Sequence, residues 1–286
     1  MDRISSAAEF QTACDTLRMR GKTIGLVPTM GALHDGHRQL IKLAREQCDV
    51  VAVSIFVNPL QFDNPIDLEK YPRSIEDDLE VASTLGVDVV FAPLETEMHP
   101  RPILFHLEVD GLSEVLEGSS RPGHFGGVVT VVAKLFILAG RCRAYFGEKD
   151  FQQLAIVSRM VKEMHFPVQI VPVPIVRDER GLALSSRNLR LTSEQLNSAL
   201  SLSRSLFAAR EAIRRGEKNT DKIEQLMAQE LGREIDGIAQ ADLAVLDYAL
   251  VVDPLTLMRP DRIEGTVRLL VAARIGDVRL IDNVGA

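Results

Sequence analysis

Residues 24 to 37 read Ile24-Gly25-Leu26-Val27-Pro28-Thr29-Met30-Gly31-Ala32-Leu33-His34-Asp35-Gly36-His37, an apolar segment followed by a turn and the start of a helical pattern. This order predicts a strand that leads through a loop into a helix. In open α/β sheets, ligands bind at such turns, where the carboxyl end of a strand and the amino terminus of a helix face the same side. Gly31 and Gly36 allow the backbone to approach a ligand closely.

The two histidines of this turn, His34 and His37, are three residues apart at a helix start and fall on one helix face. Three interpretations stay open: a polar helix cap, a metal site, and recognition of a phosphate group. A structural zinc site would need further ligands, and no cysteine or third histidine lies nearby in the sequence. Phosphate recognition needs support from other parts of the chain.

The segment Val50 to Val57 is apolar at nearly every position, which is typical of a parallel strand buried on both faces. Strands and helices alternate around it, and this alternation predicts a parallel sheet. Asp35 is predicted to cap the helix after the first strand. The other predicted elements are the helices Ser6–Met19, Ile75–Leu85 and Thr130–Leu138, a helix burying Leu154, Val157, Val161 and Met164, and the strands Thr23–Val27, Val87–Ala92, Ala144–Phe146 and Val168–Val176.

The chain changes character after Leu191. Residues 192 to 234 are charged and helical in pattern, with Thr192 as the predicted cap, and strand patterns return at Leu246–Val252 and in a hairpin around Gly276-Asp277. We therefore expect an α/β protein with two domains. Residues 1–175 form a Rossmann-like domain with a parallel sheet, and residues 176–286 form a smaller α+β domain that closes over the site.

Composition excludes several functional classes. The formal net charge is −7 and basic residues are dispersed, which disfavours a nucleic-acid partner. No apolar run is long enough to span a membrane and no signal peptide is visible, so we expect a cytoplasmic protein. Cys14, Cys48 and Cys142 are far apart in the sequence, which favours buried packing residues over a disulfide framework.

The loops at 28–37, 58–62, 147–150 and 176 onward all follow strands, so a parallel sheet brings them to one edge. The last of them contains Ser185-Ser186-Arg187, whose hydroxyl and guanidinium groups can hold phosphate oxygens. Taken alone, this triplet is also typical of a surface turn, and Lys149 at a strand end is typical of a solvated charge. Their shared edge favours one anion-binding site.

Four stretches, in this order, resemble the pantothenate synthetase family: Pro28–His37, Ser54–Pro59 with Gln61, Gly147–Gln153 and Leu184–Asn188. The short His-x-Gly-His element alone is shared with a wider nucleotidyltransferase superfamily, but the combination is specific. The resemblance implies that the protein joins pantoate to β-alanine with ATP and releases AMP and pyrophosphate. It further implies that the domain of residues 1–175 binds ATP and pantoate, and it implies an enzyme-bound pantoyl adenylate, a requirement for Mg²⁺ and a homodimer.

The resemblance also implies roles for individual residues. His37, the expected proton donor, acts with His34, Lys149 and Arg187 in catalysis; Gln61 and Gln153 bind pantoate, Gln61 also lies near β-alanine, and Asp150 is a possible Mg²⁺ ligand. The implied ATP contacts are Met30, Gly31, Ala32, Leu33, His34, Asp35, Gly36, His37, Gly147, Glu148, Lys149, Asp150, Val176, Leu184, Ser185, Ser186 and Arg187.

The chain departs from the family pattern at two positions, with Asp35 where many members have Glu and Leu184 where some have Met. Neither change removes a group that the chemistry needs. Two alternatives stay open: another adenylate-forming ligase or nucleotidyltransferase, and a nucleotide-binding protein without catalytic activity.

Overall fold

A computed structural model of the chain describes residues 1–63, 65–232 and 244–286. It divides into two compact units, one comprising Met1–Glu148 with Gln152–Pro174 and the other Lys149–Phe151 with Ile175–Ala286. None of the helices in these ranges combines the length and the apolar character needed to cross a membrane.

The first unit is built on a six-stranded sheet in which every pairing is parallel, as the alternation of elements predicted. Its strand order is β1-β4-β3-β2-β5-β6, so β2 and β3 are central. The sequence patterns did not predict β1, a three-residue edge strand that pairs with β4. The strands are β1 (Asp2–Ile4), β2 (Ile24–Thr29), β3 (Val50–Ile55), β4 (Val89–Phe91), β5 (Cys142–Gly147) and β6 (Val168–Val173).

Helices cover both faces of this sheet. In β3, Val51 and Val53 pack into one apolar cluster and Ala52 into another, because successive side chains of a strand point to opposite faces. This placement explains the uninterrupted apolar run. The helices of this part of the chain are α1 (Ala7–Met19), α2 (Asp35–Gln47), α3 (Pro65–Glu69), α4 (Ile75–Thr84), α5 (Glu95–Met98), α6 (Glu117–Ser120), α7 (His124–Ala139) and α8 (Phe151–Glu163), with 3₁₀ turns at Pro59–Gln61 and Glu148–Asp150.

Two sequence expectations for these helices were wrong. Helix α7 begins at His124 and includes Gly126 and Gly127, although the prediction began it at Thr130. The carbonyl oxygen of Leu60 packs against Gly127 so closely that a Cβ there would lie 2.3 Å from it, so tertiary contact explains a glycine inside the helix. Met164, predicted to be buried, lies just past the end of α8 and is 50% exposed.

The second unit packs two helices on an antiparallel sheet of order β7-β8-β9, around one apolar cluster. Thr192 caps α9, because its side chain accepts the backbone N–H of Gln195, and the hairpin turns at Gly276-Asp277; both features were predicted. The last residues of the predicted helical stretch, 233 and 234, lie outside the described residues. The elements are α9 (Ser193–Arg214), α10 (Thr220–Leu231), β7 (Ala244–Val252), β8 (Arg268–Ile275) and β9 (Val278–Gly285), with a 3₁₀ helix at Ser186–Arg190.

Candidate active site

Residues 30–37, which lead from β2 into the first turn of α2, contain two histidines that are joined by hydrogen bonds, and we call this segment the histidine loop. His34 has an extended backbone and is the cap of α2: its Nδ1 accepts the N–H of Gly36 at 3.1 Å. The Nδ1 of His37 in turn accepts the N–H of His34 at 3.3 Å, and the two ring centroids are 4.1 Å apart. The prediction that Asp35 caps this helix was therefore wrong. Asp35 is the first helical residue, and its carboxylate pairs with Arg38 on the surface.

These hydrogen bonds fix the proton position in the neutral rings. Because each Nδ1 accepts a backbone N–H, the ring proton of His34 and of His37 lies on Nε2. The cap interpretation and the anion-binding interpretation are thus compatible, since Nδ1 caps the helix and Nε2–H is a donor. Gly36 makes this possible, because a Cβ there would lie 2.7 Å from the His34 ring. Within the described ranges, no group of three His, Cys, Asp or Glu side chains is arranged to hold a metal ion.

The carboxylate of Asp78 determines the shape of the same loop. Asp78 is 3% exposed and accepts the backbone N–H groups of Ala32 at 3.0 Å and Leu33 at 2.7 Å. Burial raises the pKa of this carboxyl group, although the two N–H donors oppose the rise. Gly31 has a φ of +82°, and a Cβ there would lie 2.7 Å from the Asp78 carboxylate. A side chain larger than that of glycine would therefore displace Asp78.

Several backbone donors of the loop are used internally. Thr29 accepts the N–H of Gly31 at 3.2 Å, Asp78 accepts the next two, and His37 accepts that of His34. The sequence suggested a turn that offers its backbone to an anion. The structure instead directs these four N–H groups to protein acceptors, and the Nε2–H groups of His34 and His37 are side-chain donors of the loop.

Gln61, the predicted pantoate ligand, lies in the 3₁₀ turn after β3 and is 8% exposed. Its Nε2 donates to the sulfur of Met30 at 3.0 Å, and its Oε1 accepts from Asn58 Nδ2 at 3.0 Å. The structure therefore brings together two predicted site residues from neighbouring strand ends. His124 holds the backbone of this turn, because its Nδ1 is 2.7 Å from the carbonyl oxygen of Gln61.

The two adjacent glutamines of α8 differ in their surroundings. Gln152 is 3% exposed, accepts the N–H of Glu117 at 2.9 Å, and donates to the carbonyl oxygens of Leu112 and Val115 at 2.7 and 2.8 Å. Gln153 is half-buried, and its side chain makes no hydrogen bond with any residue of the described ranges. Gln152 thus anchors the loop before α6, whereas the predicted contact of Gln153 with pantoate stays a prediction.

In the second unit, backbone pairing brings several predicted ATP contacts together. Leu184 donates its N–H to the carbonyl oxygen of Val176 at 3.0 Å, and the flanking residues Arg177 and Ala183 form a β-bridge. The Oγ of Ser185 then caps the following 3₁₀ helix by accepting the N–H of Arg187 at 3.3 Å.

Lys149 lies in the same unit, where it lines one small cavity with Ser185 and Asn188. Asn283 holds its carbonyl oxygen through an amide donor at 2.8 Å, and its Nζ is 3.8 Å from the carboxylate of Asp150. Two further predicted ATP residues lie in the first unit: Gly147 ends β5, and Glu148 begins the 3₁₀ turn that follows. That residues of both units contact one ATP stays a prediction.

Comparison with known proteins decides the family. The family model described as Pantoate-beta-alanine ligase matches residues 2–285. The chain belongs to the pantoate–β-alanine ligase family. It is 46% identical to the pantothenate synthetase of Acetivibrio thermocellus over 98% of both chains, and 49% identical to that of Aquifex aeolicus over 93% of this chain and 92% of the relative.

Solved structures of pantoate–β-alanine ligases agree in fold. The crystal structure of pantothenate synthetase from Thermus thermophilus matches with a TM-score of 0.90 at 42% identity, covering 99% of both chains. The Francisella tularensis ligase, crystallised in complex with beta-gamma ATP and β-alanine, matches with a TM-score of 0.79 at 36% identity, covering 99% of this chain and 97% of that one.

Two residues of this pantoate–β-alanine ligase were missed as contributors to the site. Asp78 is the third member of an acidic run, Glu76-Asp77-Asp78, which is typical of an exposed first helical turn. Asn58 was part of a quoted motif but received no role. Its position directly after the apolar run Val50 to Val57, three residues before Gln61, was the available signal.

Proposed function

We propose that this chain condenses D-pantoate with β-alanine at the expense of ATP, forming pantothenate, AMP and pyrophosphate through an enzyme-bound pantoyl adenylate. Family membership and the similarity to named pantothenate synthetases support this reaction. The structural observation that carries it is the hydrogen bond between Gln61 and Met30. It joins a proposed pantoate ligand to the histidine loop at the carboxyl ends of the central strands.

In the first step, a carboxylate oxygen of pantoate attacks the α-phosphorus of ATP, and the bond to the bridging oxygen of pyrophosphate breaks. Negative charge develops on the phosphoryl oxygens and on the leaving group. The Nε2–H groups of His34 and His37 donate to those oxygens, since their Nδ1 atoms are committed to capping α2. Gln61 holds pantoate through its Nε2 donor, without forming an ion pair that would make the nucleophile less reactive.

In the second step, the amine of β-alanine attacks the acyl carbon of the adenylate, the bond to the AMP oxygen breaks, and the amine releases a proton. No protein nucleophile is required. Lys149 and Arg187 supply positive charge for the phosphates, and we assign the ATP contacts as the sequence predicted them, with Gln153 as the second pantoate ligand.

We further propose that ATP binds with Mg²⁺, which would neutralise part of the triphosphate charge. Mg²⁺ keeps several waters and needs few protein ligands, so the absence of a three-residue cluster among the described residues is compatible with it. The carboxylate of Asp150 is 52% exposed beside Lys149 and would be the protein ligand. The homodimer that the resemblance implies and the cytoplasmic location that the sequence predicts belong to the same proposal.

Isotope exchange tests this function. Purified protein with ATP, Mg²⁺ and D-pantoate should exchange labelled pyrophosphate into ATP without β-alanine, and adding β-alanine should yield pantothenate and AMP. Formation of ADP would contradict attack at the α-phosphorus. Exchange that requires a different acid would indicate another adenylate-forming ligase, and binding of ATP without turnover would indicate a non-catalytic nucleotide-binding protein.

A further inference from the structure

The hydrogen bonds around Asn58 determine which end of its side-chain amide is the nitrogen and which is the oxygen. Asn58 is 1% exposed, and its Nδ2 lies 3.0 Å from the carbonyl oxygen of Gly127. A carbonyl oxygen can only accept, so the amide nitrogen faces Gly127. The remaining proton of Nδ2 points to Gln61, 3.0 Å away, which must therefore present its Oε1. As a result, the Nε2 donor of Gln61 faces Met30 and the histidine loop.

The other end of the Asn58 amide faces His99. The Oδ1 of Asn58 is 2.8 Å from the Nε2 of His99, and since this oxygen only accepts, Nε2 carries a proton. The only other described donor to Oδ1 is the N–H of Leu60, at a longer 3.4 Å. His99 thus provides the shortest hydrogen bond that holds the oxygen end of the amide.

His99 itself is rigidly placed and uncharged. It is 1% exposed, and its backbone N–H donates to the backbone carbonyl oxygen of Glu95 at 2.6 Å. Its ring packs on that of Phe56, with the ring centroids 5.7 Å apart. Burial, with the charges of Lys134 and Arg101, lowers the pKa of His99 to about 4, and Glu95 opposes this only in part. Its Nδ1 has no hydrogen-bond partner among the described residues. A neutral ring with one proton on Nε2 satisfies both observations.

We propose that His99 is a positioning residue: through Asn58 it holds the amide of Gln61 so that the Nε2 donor, and not the carbonyl oxygen, is presented to the oxygens of the acid substrate. This inference rests on the proposed function, in which Gln61 binds pantoate. His99 acts indirectly, through Asn58, because its described polar contacts are with Asn58 and with the backbone of α5. Without it, the Asn58 amide loses its shortest hydrogen bond, and only the described bonds to the backbone of Gly127 and Leu60 still hold the orientation on which that of Gln61 depends.

The test compares His99→Phe with His99→Gln. Phenylalanine fills the space but cannot donate, whereas the side-chain nitrogen of glutamine reaches a position similar to that of the histidine Nε2. We expect His99→Phe to raise the KM for pantoate in pyrophosphate exchange by about tenfold, the usual effect of losing one buried hydrogen bond, with the KM for ATP changed less than about twofold. His99→Gln should restore most of the loss.

A double-mutant cycle shows whether His99 acts through Gln61. In a Gln61→Leu background, His99→Phe should raise the KM for pantoate no further. Val132→Ala, which truncates a buried residue of α7 that takes no part in these hydrogen bonds, is the control for general destabilisation and should leave both KM values unchanged. Additive effects of His99→Phe and Gln61→Leu, equal changes in both KM values, or failure of His99→Gln to restore binding would overturn the proposal.

If His99→Phe does not fold, the KM values of His99→Gln and the tautomer of the wild-type His99 ring test the proposal instead. ¹⁵N NMR of histidine-labelled protein should show His99 with its proton on Nε2, and a proton on Nδ1 would overturn the proposal. The wild-type exchange reaction separates the two hypotheses. If the wild type fails to use pantoate, the proposed function is wrong; if it uses pantoate and the His99 variants do not discriminate between substrates, only this inference is wrong.

Discussion

Two predicted phosphate-binding segments, the histidine loop of residues 30–37 and the segment 184–187, share one kind of hydrogen bond but are held in place differently. In each, a side chain accepts the N–H two residues ahead: His34 from Gly36, and Ser185 from Arg187. Side chains, chiefly Asp78, then fix the first segment, whereas backbone pairing with residues 176 and 177 fixes the second. A single substitution can therefore change the shape of the first segment, while in the second it removes mainly a functional group.

The largest effect should come from His37, where capping and donation use different nitrogens. Asparagine places an acceptor near the position of Nδ1 but has no counterpart of Nε2–H. We therefore expect His37→Asn and His37→Ala to slow adenylate formation by about 100-fold or more, while only the alanine variant loses about 1 kcal/mol of unfolding free energy with the cap. Pyrophosphate exchange measures the rate of adenylate formation, and urea unfolding measures the unfolding free energy. Near-normal exchange in His37→Asn would disprove the donor role.

Arg187 tests the segment held by its backbone. Arg187→Ala should raise the KM for ATP by roughly 10- to 100-fold, the range for a charge-assisted hydrogen bond, with little change in unfolding free energy. Arg187→Lys should fall between, because lysine keeps the charge but not the planar fork. A large loss of stability in Arg187→Ala would show that the second segment, too, depends on its side chains.

Asp78→Asn tests the opposite case. One of the two N–H groups that Asp78 accepts would then face an amide donor, so the loop must shift, and we expect the KM for ATP to rise by about tenfold. Stability should change less than ATP affinity, because the variant also removes a buried charge whose pKa is raised by burial. ATP affinity equal to that of the wild type would show that side chains do not control the loop.

Gln153 provides a case in which the side chain holds nothing in place. Gln153→Leu should raise the KM for pantoate about fivefold, as for loss of a neutral hydrogen bond, and leave that for ATP unchanged. Its neighbour is the matched control: Gln152→Leu removes three hydrogen bonds to the chain and should lower the unfolding free energy instead. Equal weakening of both substrates in Gln153→Leu would argue for a structural role.

The smallest effect concerns the pH dependence of stability. Because the pKa of His99 falls from 6.5 to about 4 on folding, the unfolded chain binds more protons between these values. The contribution of His99 is therefore present above pH 6.5 and is lost progressively as the pH falls to 4. Urea unfolding between pH 4.5 and 7 should show a shallower slope in His99→Gln than in the wild type. Equal slopes would mean that His99 does not stay neutral in the folded protein.

Local patterns were sufficient for much of the first unit. The apolar run at Val50 predicted a central strand, and the positions of residues 28–37 and 58–62 after strands predicted that they lie at one edge of the sheet, where Gln61 contacts Met30. Both features follow from the local pattern of apolar residues and from the known geometry of parallel sheets, so no tertiary contact was needed to predict them.

Features that depend on the exact backbone conformation or on contacts between distant segments could not be predicted. Aspartate is a stronger statistical cap than histidine, and only the extended backbone at His34 excludes Asp35. Gly127 weakens the helical pattern in the sequence, and only the close contact with the carbonyl oxygen of Leu60 explains why a glycine is required there. The same holds for Asp78 and His99, since their burial is a property of tertiary packing.

The three cysteines have a practical consequence for spectroscopy. All are buried, and burial raises the thiol pKa of Cys14 to about 11 and of Cys142 to about 12, while the sulfur of Cys48 contacts the Tyr145 hydroxyl at 3.4 Å. Only the thiolate reacts with maleimides, so the native thiols should remain unmodified at neutral pH. A cysteine introduced at an exposed position such as Ser83 could then carry a single fluorophore, with every native cysteine left in place.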